Sequence, residues 1–81
     1  MILVDINVYA LNKVYDFTLD ETVPISAIVE EIAEIIGRID NKENMEGVEG
    51  LMLLTKDGTY LQSNQTLEMC NINTGSSLIL I

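Results

Sequence analysis

The stretch "VPISAIVEEIAEIIG", residues 23–37, decides how this chain can fold. Its apolar residues recur at intervals of three and four, which places them along one side of an α-helix. These residues are Ile25, Ile28, Val29, Ile32, Ile35 and Ile36. Isoleucine and valine are mediocre helix formers, so the helix needs an apolar surface to pack against. Pro24 suits the first helical turn, Thr22 is placed to cap it, and Gly37 is placed to end the helix.

Two strands are predicted before this helix. The stretches "ILVDINVY", residues 2–9, and "VYDFTL", residues 14–19, each alternate along the chain with a period of two. That period is typical of strands with one face buried. Because only a short turn around Asn12 separates them, the two strands should form a hairpin.

Three more strands are predicted after the helix. "LMLLT", residues 51–55, and "TYLQ", residues 59–62, flank a tight turn at Asp57-Gly58. Residues 63–75 predict a helical turn within a loop, and "SSLILI", residues 76–81, predicts the last strand. The order is therefore β-β-α-β-β-β, which is the β-grasp arrangement. We expect an α+β fold in which one helix packs on a mixed sheet, with residues 1–81 forming one domain.

Composition narrows the possible partners. Thirteen acidic residues against four basic ones give a formal net charge of −9, which repels nucleic acid and anionic membranes. We interpret the clustered acids as a solvated face, with a specific acidic docking surface, such as the helix face around Glu30, Glu31 and Glu34, as the alternative. No apolar run reaches the length of a membrane span, and "MILV" is too short for a signal peptide, so a cytoplasmic protein is expected. The single cysteine, Cys70, fits a reducing compartment and is expected to pack as a small core side chain.

The sequence offers little for catalysis. It contains no histidine, so the usual Cys-His and Ser-His nucleophile pairs cannot form. The polar stretch of residues 38–50 predicts a long loop, and its acidic part does not have the EF-hand spacing. No glycine-rich phosphate loop is present. We therefore expect no metal, no cofactor and no enzymatic activity.

Two segments resemble known proteins. "TLEMCNINTGSSLILI", residues 66–81, is similar to the closing segment of ubiquitin. The helix start "VPISAIVEEI" and the pattern L-x-x-C-x-I-x-x-G, residues 67–75, resemble the YukD/EsaB-like ubiquitin-like proteins. The resemblance implies a small cytosolic component of the type VII secretion systems of Gram-positive bacteria. It also implies a protein partner, such as the cytosolic part of a membrane-bound secretion component or its ATPase.

The end of the chain separates two functional classes. Ubiquitin-like modifiers and sulfur carriers act through a flexible tail that ends in Gly-Gly. Here the last glycine is Gly75, six residues before the end, and the residues after it alternate as a strand. Unless a longer precursor exists, we expect this C-terminus to be structural. A modifier or sulfur carrier is the disfavoured alternative to a binding module.

The open face of the sheet is the candidate binding surface. If Leu78 and Leu80 point to the helix, then Ile79 and Ile81 point to the open face. The strand at residues 51–55 must expose either Leu51 with Leu53 or Met52 with Leu54, and our predicted site takes the first pair. The predicted apolar patch is Leu3, Leu51, Leu53, Ile79 and Ile81. Its occupant is left open between a protein partner, a second copy in a homodimer, and none.

Overall fold

A mixed sheet and one long helix form the part of the chain that the computed structural model describes, residues 1–40 and 51–81. The elements are β1 (Ile2–Val8), β2 (Lys13–Leu19), α1 (Ile25–Asp40), β3 (Leu53–Thr55) and β4 (Ser77–Leu80). The four strands lie in the order β2-β1-β4-β3. β1 is antiparallel to β2 and parallel to β4, and β4 is antiparallel to β3. The expected α+β fold of the β-grasp type is confirmed.

The helix packs its isoleucine stripe on one face of the sheet. Ile28, Ile32 and Ile36 are fully buried. The sheet supplies alternate residues to the same core, which are Val4, Ile6, Val8, Phe17, Leu19, Leu53, Leu78 and Leu80. No polar or charged residue is buried within the described ranges, so the core depends on apolar packing alone.

The hairpin between β1 and β2 turns through a short helical segment. Tyr9–Leu11 form a 3-10 helix, and Asn12 follows it with φ 52° and ψ 43°. Asparagine tolerates this left-handed conformation better than most residues with a side chain. The turn sets the register in which Val8 faces Lys13 and Asn7 faces Val14.

The start of α1 differs from the sequence prediction. The hydroxyl of Thr22 donates to the Asp20 carboxylate over 2.6 Å and does not cap the helix. Instead, the Ile25 N–H donates to the Gln65 carbonyl and the Ser26 N–H to the Ser63 carbonyl, at 2.7 and 3.1 Å. These carbonyls satisfy donors that every helix leaves open in its first turn, so no side-chain cap is needed.

The end of α1 also differs. Gly37 was expected to stop the helix, but it lies inside α1, which continues to Asp40. A methyl group at Gly37 would meet no atom within 4 Å, so nothing in the packing forces a chain reversal there. Arg38 lies in the last turn, where a cation is favoured, and approaches Glu34 at 3.9 Å. Residues 41–50, the acidic centre of the predicted loop, lie outside the described residues.

The predicted strand at residues 59–62 is only a single bridge. Tyr60 pairs with Leu54, and the Leu61 N–H donates to the Leu53 carbonyl over 2.9 Å. The turn before it is as expected, since Gly58 has φ 90°. The Asp57 carboxylate accepts bonds from the Thr55 hydroxyl and the Thr59 N–H. This short return segment partly covers the outer edge of β3.

One hydrogen-bonded turn connects the return segment to β4. The Cys70 N–H donates to the Thr66 carbonyl over 3.2 Å, and the turn buries Leu67 and Ile72 in the core. Cys70 itself is partly buried and packs against the core. At the end of this segment Gly75 takes φ 94°, and its N–H donates to the Leu3 carbonyl over 2.8 Å.

The buried stripe yields a first prediction. Ile28→Ala and Ile32→Ala should each lower the free energy of unfolding by about 2 to 5 kcal/mol, because each leaves a cavity between helix and sheet. Ile35→Ala is the matched control, since Ile35 is only partly buried, and should cost clearly less. Urea unfolding measures all three. Equal midpoints for Ile28→Ala and wild type would mean that another side of the helix faces the core.

The two kinds of glycine yield a second prediction. Gly37→Ala should raise the free energy of unfolding by about 0.5 to 1 kcal/mol, because alanine favours the helix and meets open space there. Gly75→Ala should lower it, because a side chain is strained at φ 94°. Thermal melts of the two variants test the pair. A Gly37→Ala protein less stable than wild type would contradict the placement of Gly37 inside α1.

The carboxylate of Asp57, in the turn after β3, yields a prediction on how stability depends on pH. Hydrogen bonds from Thr55 and Thr59 lower the pKa of Asp57 from its ordinary value of 3.8. A carboxyl whose pKa is lower in the folded state stabilises the fold above its unfolded pKa, and this stability is lost as pH falls through the folded pKa. Asp57→Asn keeps an acceptor oxygen but cannot titrate, so its stability should fall less than that of wild type below about pH 4.

Urea midpoints between pH 7 and pH 2.5 measure this difference. Glu31→Gln, on the exposed side of α1, is the control that removes one carboxylate away from the turn. Parallel pH profiles for wild type and Asp57→Asn would show that the Asp57 hydrogen bonds do not contribute to stability.

Candidate functional site: the open face of the sheet

The face of the sheet opposite α1 carries the alternate residues of every strand. On β1 these are Leu3, Asp5 and Asn7, none of which is buried, whereas Val4, Ile6 and Val8 are. On β4, Leu78 and Leu80 are buried under the helix while Ile79 is only partly buried and points the other way. This alternation leaves one side of the sheet uncovered by the helix.

One row of residues crosses this open face from edge to edge. Asn7 of β1 faces Val14 of β2 on one side and Ile79 of β4 on the other. Ile79 in turn faces Leu54 of β3, and Leu54 forms a bridge with Tyr60. Residues that face each other across strands project on the same side of the sheet. We call these five residues, Val14, Asn7, Ile79, Leu54 and Tyr60, the open-face row.

The residues at the two ends of the open-face row are exposed, whereas Leu54 within it is nearly buried. Val14 is 62% exposed and Tyr60 is 51% exposed, although both side chains are apolar or aromatic. Between them, Leu54 is only 9% exposed, yet it is not part of the core cluster beneath the helix. Val14, Tyr60 and the partly buried Ile79 offer apolar surface to the solvent side, which is unusual for an exposed sheet.

The next row along the strands is acidic. Asp5 faces Asp16 on β2 and Ser77 on β4. Like charges that face each other directly across two strands repel one another. A shallow hollow of about 220 Å³ lies where the two rows meet, and Lys56 reaches its lining. The open-face row is thus bordered on one side by the carboxylates of Asp5 and Asp16.

The predicted patch is partly wrong. Leu53 is fully buried in the core, because it faces Leu80 and both point to the helix. Leu51 is partly buried against the same core, so the other pair, Met52 and Leu54, faces the open side, although Leu54 is itself nearly buried. Met52 is 45% exposed.

The other predicted residues are on the open side but are not all together. Ile79 lies in the centre of the open-face row, and Ile81 is 37% exposed beside Met52. Leu3 is 50% exposed but lies four residues along β1 from Asn7, about 13 Å from the row, with Asp5 between them. Leu3 is therefore not in contact with Ile79.

Val14, Leu54 and Tyr60 were missed from the sequence. Leu54 was the open alternative, and no alternation in "LMLL" favours it. Val14 and Tyr60 belong to the row only because of strand register, which depends on the geometry of two turns. The available signal was that Val14 and Tyr60 are apolar or aromatic residues at positions that alternate with the buried residues of their own segments.

The last residues of the chain are held in the sheet. The Met52 N–H donates to the Ile81 carbonyl over 2.8 Å, and the Ile81 N–H donates to the Met52 carbonyl over 3.0 Å. Since β4 pairs with β1 on its other side, residues 77–81 have the structural role expected from their alternation. The thiol of Cys70 donates to the Gln65 side-chain oxygen over 3.5 Å and lies away from this face.

Within residues 1–40 and 51–81, acidic and cysteine side chains form no cluster of three that could hold a metal ion. Over the same part of the chain, no helix combines the length and apolar character that crossing a membrane requires.

Comparison with known proteins identifies the fold and the family. None of the curated proteins matches the chain. The EccD5 ubiquitin-like domain from Mycobacterium xenopi is similar in structure, with a TM-score of 0.79 at 22% identity, over 99% of this chain and 91% of that one. A protein designed on the basis of ubiquitin has a TM-score of 0.75 at 21% identity, over 99% of this chain and 85% of that one.

Such low identities show a ubiquitin-like fold and nothing more. The family comparison is more specific, because the model for protein YukD of the WXG100 protein secretion system matches residues 3–80. That match spans both hairpin strands, the helix and the closing strand. The chain therefore belongs to the YukD family of the WXG100 protein secretion system.

Proposed function

We propose that this chain is a non-catalytic protein-interaction module, a cytosolic accessory of a type VII secretion system of the YukD/EsaB-like kind. Residues 1–81 act as one ubiquitin-like domain. The partner is the cytosolic part of a membrane-bound secretion component or its ATPase, and it binds at the open-face row. The observation that carries this proposal is the apolar row from Val14 to Tyr60, which crosses a sheet face left open by the helix.

The composition of the row favours a protein partner. Interfaces between proteins have an apolar and aromatic centre and a polar rim. Ile79 and Leu54 form such a centre here, with the aromatic Tyr60 at one end and Asn7 within the row. The Asp5–Asp16 pair supplies the polar rim on one side.

The charges refine the partner's chemistry. Asp5 and Asp16 face each other across β1 and β2, and the chain carries a net charge of −9. A lysine or arginine of the partner placed over this pair would relieve their repulsion. We therefore expect the partner to present an apolar side chain over Ile79 with a basic residue close to it.

The alternative role, a ubiquitin-like modifier or sulfur carrier, needs an extended reactive tail. Residues 77–81 pair with β1 and with the start of β3, so they are not such a tail. A tail would have to follow Ile81. Supporting observations for the binding role are the family match and the shape of the open face.

The function prediction concerns Ile79→Lys. The substitution places an unpaired charge in the centre of the row, while Leu78 and Leu80 keep their packing under the helix. Thermal stability should change little. Affinity for the cytosolic domain of the secretion ATPase from the same genome, measured by calorimetry, should fall about 30-fold or more, the effect of losing a central contact.

Thr18→Lys is the matched control, because it adds the same charge to an exposed position of the same face, beside Leu3 and outside the row. It should leave affinity nearly unchanged. Equal affinity for Ile79→Lys and Thr18→Lys would exclude the open-face row as the binding surface. Sedimentation of wild type without partner tests the second occupant, since a dimer broken by Ile79→Lys would make this face a homodimer interface.

A further inference from the structure

A groove lies at one side of the molecule, between the first two turns of α1 and the β3 region. Its volume is about 640 Å³, which is within the range of sites that hold small molecules or several side chains. From the helix it is lined by Ile25, Ser26, Val29 and Glu30; from the rest of the chain, by Leu51, Met52, Leu53 and residues 60–63. The core does not fill this space.

The floor of the groove is apolar. Val29 and Leu61 are each 8% exposed, and Leu53 is fully buried. All three belong to the core cluster, so the floor is the outer surface of the packed core itself. The Ser26 N–H donates to the Ser63 carbonyl over 3.1 Å, which ties the two walls together at one end. A preformed apolar floor lowers the entropy that a bound group must lose.

The rim of the groove carries negative charge. Glu30 lines it and is exposed. Glu34 follows one helical turn later on the adjoining side, where its contact with Arg38 is long, at 3.9 Å, and exposed. Among the described residues that line the groove, none is basic. A ligand that enters the apolar floor therefore gains if it also places a cation beside Glu30.

We propose that this groove is a second docking surface, which takes a protein segment that presents apolar side chains next to lysine or arginine. A peptide segment fits because it supplies apolar anchors and cations at fixed spacing. Anionic ligands are repelled by the rim and by the net charge of −9. The proposal goes beyond the function proposed above. The groove shares Tyr60 with the open-face row, but its helix wall of Ile25, Ser26, Val29 and Glu30 lies on the other side of the sheet.

The test uses a defined probe. A fluorescein-labelled synthetic peptide of leucine and lysine, arranged as an amphipathic helix, is titrated with the full chain, and anisotropy reports binding. Glu30→Arg should weaken binding about tenfold or more, because it puts a like charge at the rim. Glu31→Arg makes the same change of charge on the same helix but outside the lining residues, and should weaken binding by less than about threefold.

A second variant separates the apolar contact from the charge. Ser26→Trp fills the groove without changing any charge and keeps the backbone bond to Ser63, so it should fold and lose binding. A peptide with serine in place of leucine should bind the wild type much more weakly than the leucine peptide. In the ¹⁵N–¹H spectrum, the leucine peptide should shift the amides of Ser26, Glu30 and residues 61–63, none of which belongs to the open-face row.

Several outcomes would overturn the proposal. These are no binding of the leucine peptide, equal losses for Glu30→Arg and Glu31→Arg, or equal binding of the serine peptide. Peptide-induced shifts at Asn7, Val14 and Ile79 would place binding on the open face instead. A wild-type dimer that Ser26→Trp dissociates would make a second copy the occupant. None of these results depends on Ile79→Lys, so this proposal and the proposed function fail independently.

Discussion

The position of β4 between β1 and β3 is the constraint on which the rest of the structure depends. Two parallel strands cannot be joined by a tight turn, so the pairing of β1 with β4 requires a long crossover. The crossover contains α1, whose isoleucines must be buried because they do not sustain a helix alone. The helix therefore covers the sheet on one face, and the other face remains open.

The parity of β4 couples the core to the candidate site. Leu78 and Leu80 are nearly fully buried under the helix, whereas Ile79 between them lies in the open-face row. A slip of one residue in the pairing would exchange these roles and place a serine under the helix. Selection of the correct register by the core therefore also fixes which side chains a partner meets. The same four-residue strand serves stability and recognition.

The spacing of apolar residues predicted those elements in which it matched either a helix or a strand clearly. The helix stripe and the alternation of β1 predicted both elements and their buried faces. Four consecutive apolar residues at 51–54 contain no alternation, so their parity depended on the pairing of Leu54 with Ile79. Gly37 was misread because its helical neighbours tolerate a glycine at a modest cost.

The site was harder to predict than the fold because it depends on how the strands pair, and the sequence pattern of one strand does not show its pairing. The open-face row is assembled from four strands and one isolated bridge, and the pairing of its outer members depends on turns whose geometry the sequence specifies weakly. Ile79 could be found from its own strand alone. Val14 required the 3-10 turn at Tyr9–Leu11, and Tyr60 required the turn at Gly58.

Native-state hydrogen exchange of the β4 amides tests most directly the claim that the fold depends on the position of this strand between β1 and β3. The account predicts that the amides of Leu78, Ile79 and Leu80 exchange only when the whole domain unfolds. Their opening free energy should then equal the unfolding free energy from urea and match that of the β1 amides. Exchange of the β4 amides through a local opening of much lower free energy, with β1 still protected, would contradict it.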